Sequence, residues 1–310
     1  MKHISLWALA LTVVLPSTRL HAQDQTPCLT HQFTEGICDI CHQADEEYLY
    51  PDQQGFYQIS TPQALHWFAQ YVSEDVSRAT CNVLVTADLD MTGISFSGLG
   101  SEEAPFEGEF DGGGHTITNL TIDRSGENNA GLINVGNAKT WIHDLTLGEG
   151  CVITGNDNVG GFVGKVNSDK GEEIIFRHLG FEGTINANSN GGGLLGYTDS
   201  GLRVLFQTCY AIGTINGTER KNAIISGWSD YVRLTNCYTK RVGTGFQLGY
   251  DIVRGNKFIV NNCFTNGTRQ SHDNLAVFTD DEMLDGTLLD KLADSAYKQE
   301  KGDNNPKLKK

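Results

Sequence analysis

Short apolar runs separated by glycine and asparagine recur along this chain at a nearly fixed interval. Gly160-Gly161-Phe162-Val163-Gly164 returns as Gly192-Gly193-Leu194-Leu195-Gly196. Looser copies are Ala130-Gly131-Leu132-Ile133-Asn134 and Asn222-Ala223-Ile224-Ile225-Ser226. From Leu132 to Phe162, Leu194 and Ile224 the steps are 30, 32 and 30 residues, a period that marks a repeat architecture. A second pattern runs in phase with it. Ile117/Leu120/Ile122 recurs as Ile142/Leu145/Leu147, Phe176/Leu179/Phe181 and Phe206/Cys209/Ala211, then as Leu234/Cys237/Thr239 and Val260/Cys263/Thr265. The residue before each central position is polar: Asn119, Asp144, His178, Thr208, Asn236 and Asn262. A third element, Gly183-Thr184-Ile185 and Gly213-Thr214-Ile215, follows at a constant offset.

Three short strands per period, punctuated by turn residues, predict a coil of an all-β, right-handed parallel β-helix. One coil cannot offset the entropy of its own ordering, whereas stacked coils share their ladders. The central positions Leu120, Leu145, Leu179, Cys209, Cys237 and Cys263 are expected to lie one above another, with the three cysteines as core thiols behaving as small hydrophobes. The 36 glycines in 310 residues, against an average of about 7%, suit the tight corners.

Both flanks depart from this pattern. Residues 55–62 read as a strand running into a helix start, with Ser60 or Thr61 as cap and Pro62 in the first turn. Leu65, Trp67 or Phe68, and Val72 supply its apolar face, which predicts a helix sealing the first coil. Thr279-Asp280-Asp281-Glu282 begins a second capped helix. It runs to about Ala296 and is expected to close the other end. Residues 298–310 are charged and read as disordered. The predicted divisions are residues 1–22, a signal peptide; 23–50, a Cys/His module; 51–82, a strand and capping helix; 83–268, the β-helix; and 269–310, a C-terminal helix with a disordered basic tail.

Several of these runs carry a family resemblance. Tyr57-Gln58-Ile59-Ser60-Thr61, Leu65-x-Trp67-Phe68, Leu89-Asp90-Met91 and Phe106-x-Gly108-x-Phe110-Asp111-Gly112-x-Gly114-His115-Thr116-Ile117-x-Asn119-Leu120, followed by G-[LF]-x-G, resemble GLUG-repeat proteins. The resemblance covers about residues 55–265. It implies an exported bacterial protein with a β-helical repeat region, of a kind also found beside the catalytic domain of some immunoglobulin-A-cleaving metallopeptidases. No His-Glu-x-x-His motif occurs in this chain, so the peptidase association does not carry over. The cluster at residues 28–41 looks like a short cysteine/histidine module that can precede such regions.

The chemistry suggested by the remaining residues is limited. Lys2, the apolar stretch from Leu6 to Leu15, and Leu20-His21-Ala22 predict a secretory signal peptide cleaved near Ala22, too short to span a bilayer. Its removal would take the net charge from −15 to −17, because it contains Lys2 and Arg19 and no acidic residue. So acidic a surface repels nucleic acid and anionic lipid. Cys28-x-x-His31 and Cys38-x-x-Cys41 have the spacing of a small structural zinc site; in an exported protein a disulfide is the competing reading. A polysaccharide-cleaving enzyme would need convergent carboxylates on one outward face. Glu107, Glu109 and Asp111, with His115, are the best candidates, although alternating glutamates also describe a solvated strand and Asp111 a turn. Trp141, Tyr197, Trp228, Tyr231 and Tyr238 are candidate sugar-facing aromatics. The sequence therefore favours a non-catalytic exported scaffold or binding protein, cell-surface or periplasmic, with an extracellular protein or glycan as partner. A carbohydrate-active enzyme and an accessory module of a surface assembly are the alternatives.

Overall fold

A computed structural model of the chain describes residues 33–34, 37–38, 51–167, 171–217, 222–242, 253–266 and 275–309. These residues wind into a parallel β-solenoid of about six turns. One turn comprises Trp141–Leu147, Val152–Gly160 and Val163–Asn167. Each of these strands lies between parallel counterparts from the turns before and after. Trp141–Leu147 sits between Glu109–Thr118 and Glu173–Phe181. Val152–Gly160 sits between Thr121–Arg124 and Thr184–Gly192. Val163–Asn167 sits between Ile133–Asn137 and Leu195–Thr198.

In-register stacking turns the sequence period into columns of like side chains. Phe110, Ile142, Phe176, Phe206, Leu234 and Val260 form one inward column, in which Phe176 and Phe206 stack with ring centroids 5.0 Å apart. Ile122, Ile153, Ile185 and Ile215 form another. Both belong to one continuous core. The helix Pro62–Ser73, capped by Thr61 through Ala64 N–H, adds the buried Leu65 and Phe68 to that core beside the first strands.

The corners explain the recurring polar residue. Asp144, His178, Thr208, Asn236 and Asn262 all have φ between 51 and 54°. Left-handed backbone is unfavourable for residues with a Cβ; Asn, Asp and His tolerate it best, and β-branched Thr208 is the costly member of the set. A second corner is turned by Asn129, Asn158 and Asn190, at φ 62, 59 and 53°. Their amides are linked along the solenoid axis. Asn158 Nδ2 donates to Asn129 at 2.9 Å, and Asn190 Nδ2 donates to Asn158 at 2.9 Å. Asn129 donates to Glu102 at 2.8 Å at one end, and Arg254 donates to Asn190 at 3.1 Å at the other.

Two registers differ from the expected ladder. Leu145, Leu179, Cys209, Cys237 and Cys263 stack, but Leu120 does not lie under Leu145. The backbone partner of Leu145 in the preceding turn is His115, after a register shift that begins at Asp111. That corner is turned on Gly113 and Gly114, at φ 58 and 74°, without a polar residue. Leu120 belongs one corner further on, where Val152 N–H donates to its carbonyl at 2.8 Å and Ile122 pairs with Ile153. Both corners place an inward apolar residue after a left-handed one, so their sequences look alike. In the Gly-Gly repeat, Leu195 pairs with Ser226, which puts Ile225 and not Ile224 over Leu194. The cysteines are buried as expected, and Cys237 N–H donates to Cys263 Sγ at 3.4 Å. Burial pushes the Cys237 thiol well above its ordinary pKa.

The C-terminal segment departs most from expectation. Two short helices, Asp280–Leu284 and Thr287–Leu292, replace the single predicted one, with the chain turning between them at Gly286 (φ 90°). They pack on the outward-facing column Tyr210, Tyr238 and Phe264, along the flank of the sheet. Tyr210 and Tyr238 stack nearly parallel, with centroids 5.1 Å apart. Residues 298–309 are not disordered: Tyr297–Lys298 pairs antiparallel with Lys307–Leu308. The cause is a set of distant polar partners. Lys307 is ion-paired with Glu182, whose side chain is only 12% exposed and which also accepts from Tyr210 Oη at 2.7 Å. The Tyr238 hydroxyl donates to the Pro306 carbonyl. Asp294 accepts from Thr208 Oγ1 at 2.8 Å and from Asn236 Nδ2 at 2.7 Å, docking the strap onto the first polar corner.

Two outcomes are expected. Asn158→Gly removes the amide link but keeps the corner, whereas Asn158→Ala also forces a Cβ-bearing residue without a local hydrogen bond into left-handed backbone. The glycine variant should be more stable by about 1–2 kcal/mol in urea unfolding. Partial burial would raise the Asp294 pKa, but its bonds to Ala296 N–H, Thr208 and Asn236 outweigh that and hold it below the usual 3.8. A carboxyl lowered by folding stabilises above its unfolded value, and the contribution disappears as pH falls through the folded value. The thermal stability advantage of wild type over Asp294→Asn should therefore be complete at pH 6 and vanish below 3.8.

Candidate functional site

The outward positions of adjacent strands bring several titratable groups together. Strand alternation puts Glu109 and Asp111 on the outer face of Glu109–Thr118, and Asp111 is directly paired with His143 of the next turn. His143 is held on three sides. Its Nε2 is 3.0 Å from Glu109 Oε1, and its Nδ1 is 2.6 Å from Asp144 and 3.7 Å from Asp111. The ring of Trp141 lies 4.2 Å from the imidazole, centroid to centroid, and only 5% of the His143 side chain is exposed.

Asp144 in turn is 2.7 Å from Nδ1 of His178 and 4.0 Å from the Arg177 guanidinium. Burial alone would favour neutral imidazole at His143. The hydrogen bonds to Asp144 and Glu109 outweigh it and hold the His143 pKa above its ordinary value. Burial likewise opposes the charge on Asp144, yet the two histidines keep its carboxyl well below the usual carboxylate range. The group can carry charge, orient an imidazole and offer one nitrogen with two carboxylates to a cation. Glu109, Asp111 and His143 present ligand atoms that all lie within 4.8 Å of one another.

Of the residues singled out from the sequence, Glu109 and Asp111 join this group, while Glu107 and His115 do not. Glu107 bonds Lys139 Nζ at 2.8 Å and Asn137 at 2.7 Å, and the lysine bond leads in lowering its pKa. His115 is 3.1 Å from Asp88. Cys28, His31 and Cys41 lie outside the described residues; Cys38 is buried in a hairpin where Ile37–Cys38 pairs with Phe33–Thr34. The aromatics divide between faces. Trp141 and Tyr231 belong to the strand system that carries His143, and Tyr197 pairs with Trp228 on another sheet. Tyr238 is fully buried beneath the C-terminal strap, so it is not a sugar-facing residue. Cations cover some of the others, with Arg254 4.6 Å from the Trp228 ring and Lys257 5.2 Å from Tyr231. Two open grooves of about 450 and 550 Å³ flank the strap and share Glu149, Glu182, Asp303 and Lys307.

Sequence reasoning missed His143, Asp144 and His178 as site residues. Asp144 and His178 were visible only as corner residues. The available signal was that His143 falls opposite Asp111 once the two strands are aligned on Phe110 and Ile142.

No family model matches the chain. Halomucin of Haloquadratum walsbyi is 38% identical over 91 residues, which are 29% of this chain and 1% of halomucin. The chain thus spans about one hundredth of that relative's length. A Bacteroides ovatus crystal structure, provisionally assigned as an immunoglobulin A1 protease, superposes with a TM-score of 0.46 at 14% identity, covering 83% of this chain and 93% of the other. Among the described residues, no helix is long and apolar enough to cross a membrane.

His143→Leu would leave the Glu109 and Asp144 oxygens without their shared donor. Stability should fall by about 1–3 kcal/mol, read as a lower urea midpoint with an unchanged slope.

Proposed function

We propose that this chain is a non-catalytic exported scaffold, a stiff solenoid of GLUG-type coils whose outer faces bind an extracellular protein or glycan. The carrying observation is the state of the His143 group. Both imidazole nitrogens are engaged by carboxylates and the ring lies under Trp141, so the geometry supports an ordered surface feature better than a free general base. Tyr197, Trp228 and Tyr231 are partly exposed and would meet a sugar ring on the sides of Trp228 and Tyr231 that Arg254 and Lys257 do not cover. Export through cleavage near Ala22 belongs to this reading, and so does a structural zinc at Cys28, His31, Cys38 and Cys41, with a disulfide as its rival.

The convergence of Glu109 and Asp111 favours a second reading, a polysaccharide-active enzyme. The two separate in one experiment. The full chain is tested on a glycan array, in pull-downs from extracellular fractions, and for turnover of the glycans it retains. Binding without turnover, weakened about tenfold or more by Trp228→Ala, is expected for the scaffold. Turnover abolished by Glu109→Gln or Asp111→Asn would replace it with the enzyme. At the Cys cluster, elemental analysis should find a zinc that Cys41→Ser removes; an intact mass short of two hydrogens would assign a disulfide.

A further inference from the structure

We propose that Glu109, Asp111 and His143 form a divalent transition-metal site of the Zn²⁺ class on the outer face of the solenoid. The ligand set comes from two adjacent rigid strands, not from a loop. Glu109 and Asp111 are two residues apart on one face, and His143 is the direct cross-strand partner of Asp111. Their ligand atoms already lie within 4.8 Å of one another. Tetrahedral zinc with bonds of about 2.0–2.2 Å needs spacings of about 3.3–3.6 Å. Glu109 already lies 3.0 Å from Nε2, and the partly exposed Asp111 carboxylate, now 3.7 Å from Nδ1, would turn toward the Nε2 side to complete the set.

The surroundings favour a metal in three ways. First, Asp144 takes His143 Nδ1 at 2.6 Å and is itself held by His178 at 2.7 Å. Carboxylate support on the far nitrogen of a ligating imidazole fixes the ring and strengthens its other nitrogen as a donor; here that nitrogen, Nε2, faces Glu109. Second, Asp144 has Arg177 and His178 beside it as well as His143, whereas the ion-pair partner that Glu109 and Asp111 have in common is His143. A divalent ion that takes the place of the proton on Nε2 meets two carboxylates and a neutral imidazole, so its charge of +2 balances their −2. Third, Trp141 covers one side of the imidazole, while the Glu109 and Asp111 side chains remain 23% and 28% exposed. An ion can enter from solvent and keep a coordination position for water or for an oxygen of a bound partner. One imidazole with two carboxylates suits zinc or a similar ion better than calcium or magnesium, which take oxygen ligands. This ligand set draws on none of residues 28–41 and does not depend on whether the scaffold reading holds.

Zinc content decides it. The full chain, stripped of metal and dialysed against micromolar Zn²⁺, is compared with Glu109→Gln/Asp111→Asn and with His143→Gln. Zinc held at residues 28–41 is common to all three and cancels. Each variant should carry one zinc fewer per chain, and the zinc-dependent rise in the unfolding midpoint of the wild type should be lost. If His143→Gln does not fold, the more exposed carboxylate pair decides alone. Equal zinc in wild type and in carboxylate variants with native circular dichroism would overturn the site, as would a wild type whose zinc is removed entirely by Cys41→Ser.

Discussion

In-register parallel stacking is the constraint on which every other feature depends. A residue here does not choose its neighbours singly; its place in the coil assigns it the equivalent residues above and below. That rule makes columns of Phe110, Ile142, Phe176 and Phe206 inside, and it sets Asp111 beside His143 outside. It also fixes where the backbone must become left-handed, since a corner in one coil has to sit over the corner of the next. The polar side chains at those corners are thus a conformational requirement before they are a functional one. Asp144 and His178 show how one position can serve both ends, turning the chain and supporting the buried imidazole.

The outer face follows the same logic with a different outcome. Carboxylates on one strand would repel each other across a flat solvated sheet. Here they gather around a histidine supplied by the neighbouring coil, and the indole of Trp141 limits access of water to it. The C-terminal strap applies a similar solution to an apolar problem. The outward column Tyr210, Tyr238 and Phe264 would expose a large aromatic stripe, and the two short helices cover it. Glu182 anchors the far end of the strap, pairing with Lys307 across 125 positions of sequence.

The architecture was legible because its signal is periodic. Phe176 and Phe206, Ile185 and Ile215, and the polar corner residues could all be aligned by counting. Counting failed where two different corners share one local pattern. Asn119-Leu120-Thr121-Ile122 looks like Asp144-Leu145-Thr146-Leu147, although the first belongs to the corner occupied above by Gly150 and Cys151. It failed by one residue in Asn222-Ala223-Ile224-Ile225, where adjacent isoleucines offer no cue to which one faces inward. The candidate site was half legible. Glu109 and Asp111 announce themselves by alternation, but His143 acquires meaning only when two coils are set side by side. The ordered tail was hidden for a different reason. Its charges suggest a solvated chain until one knows that a poorly exposed glutamate lies opposite Lys307.

The asparagine column carries a consequence for how such a chain can change length. Each amide from Asn129 to Asn190 donates in the same direction, so their dipoles add head to tail. The filament ends on a carboxylate at Glu102, where the hydrogens point, and on a guanidinium at Arg254, where the oxygens point. Both termini are electrostatically matched, and every interior link is interchangeable. A complete winding could be spliced in or excised between those ends without creating a mismatched terminus. Gain or loss of a single residue within one winding would break the filament and the inward columns together. Growth by whole modules, never by single letters, is what this polarity permits.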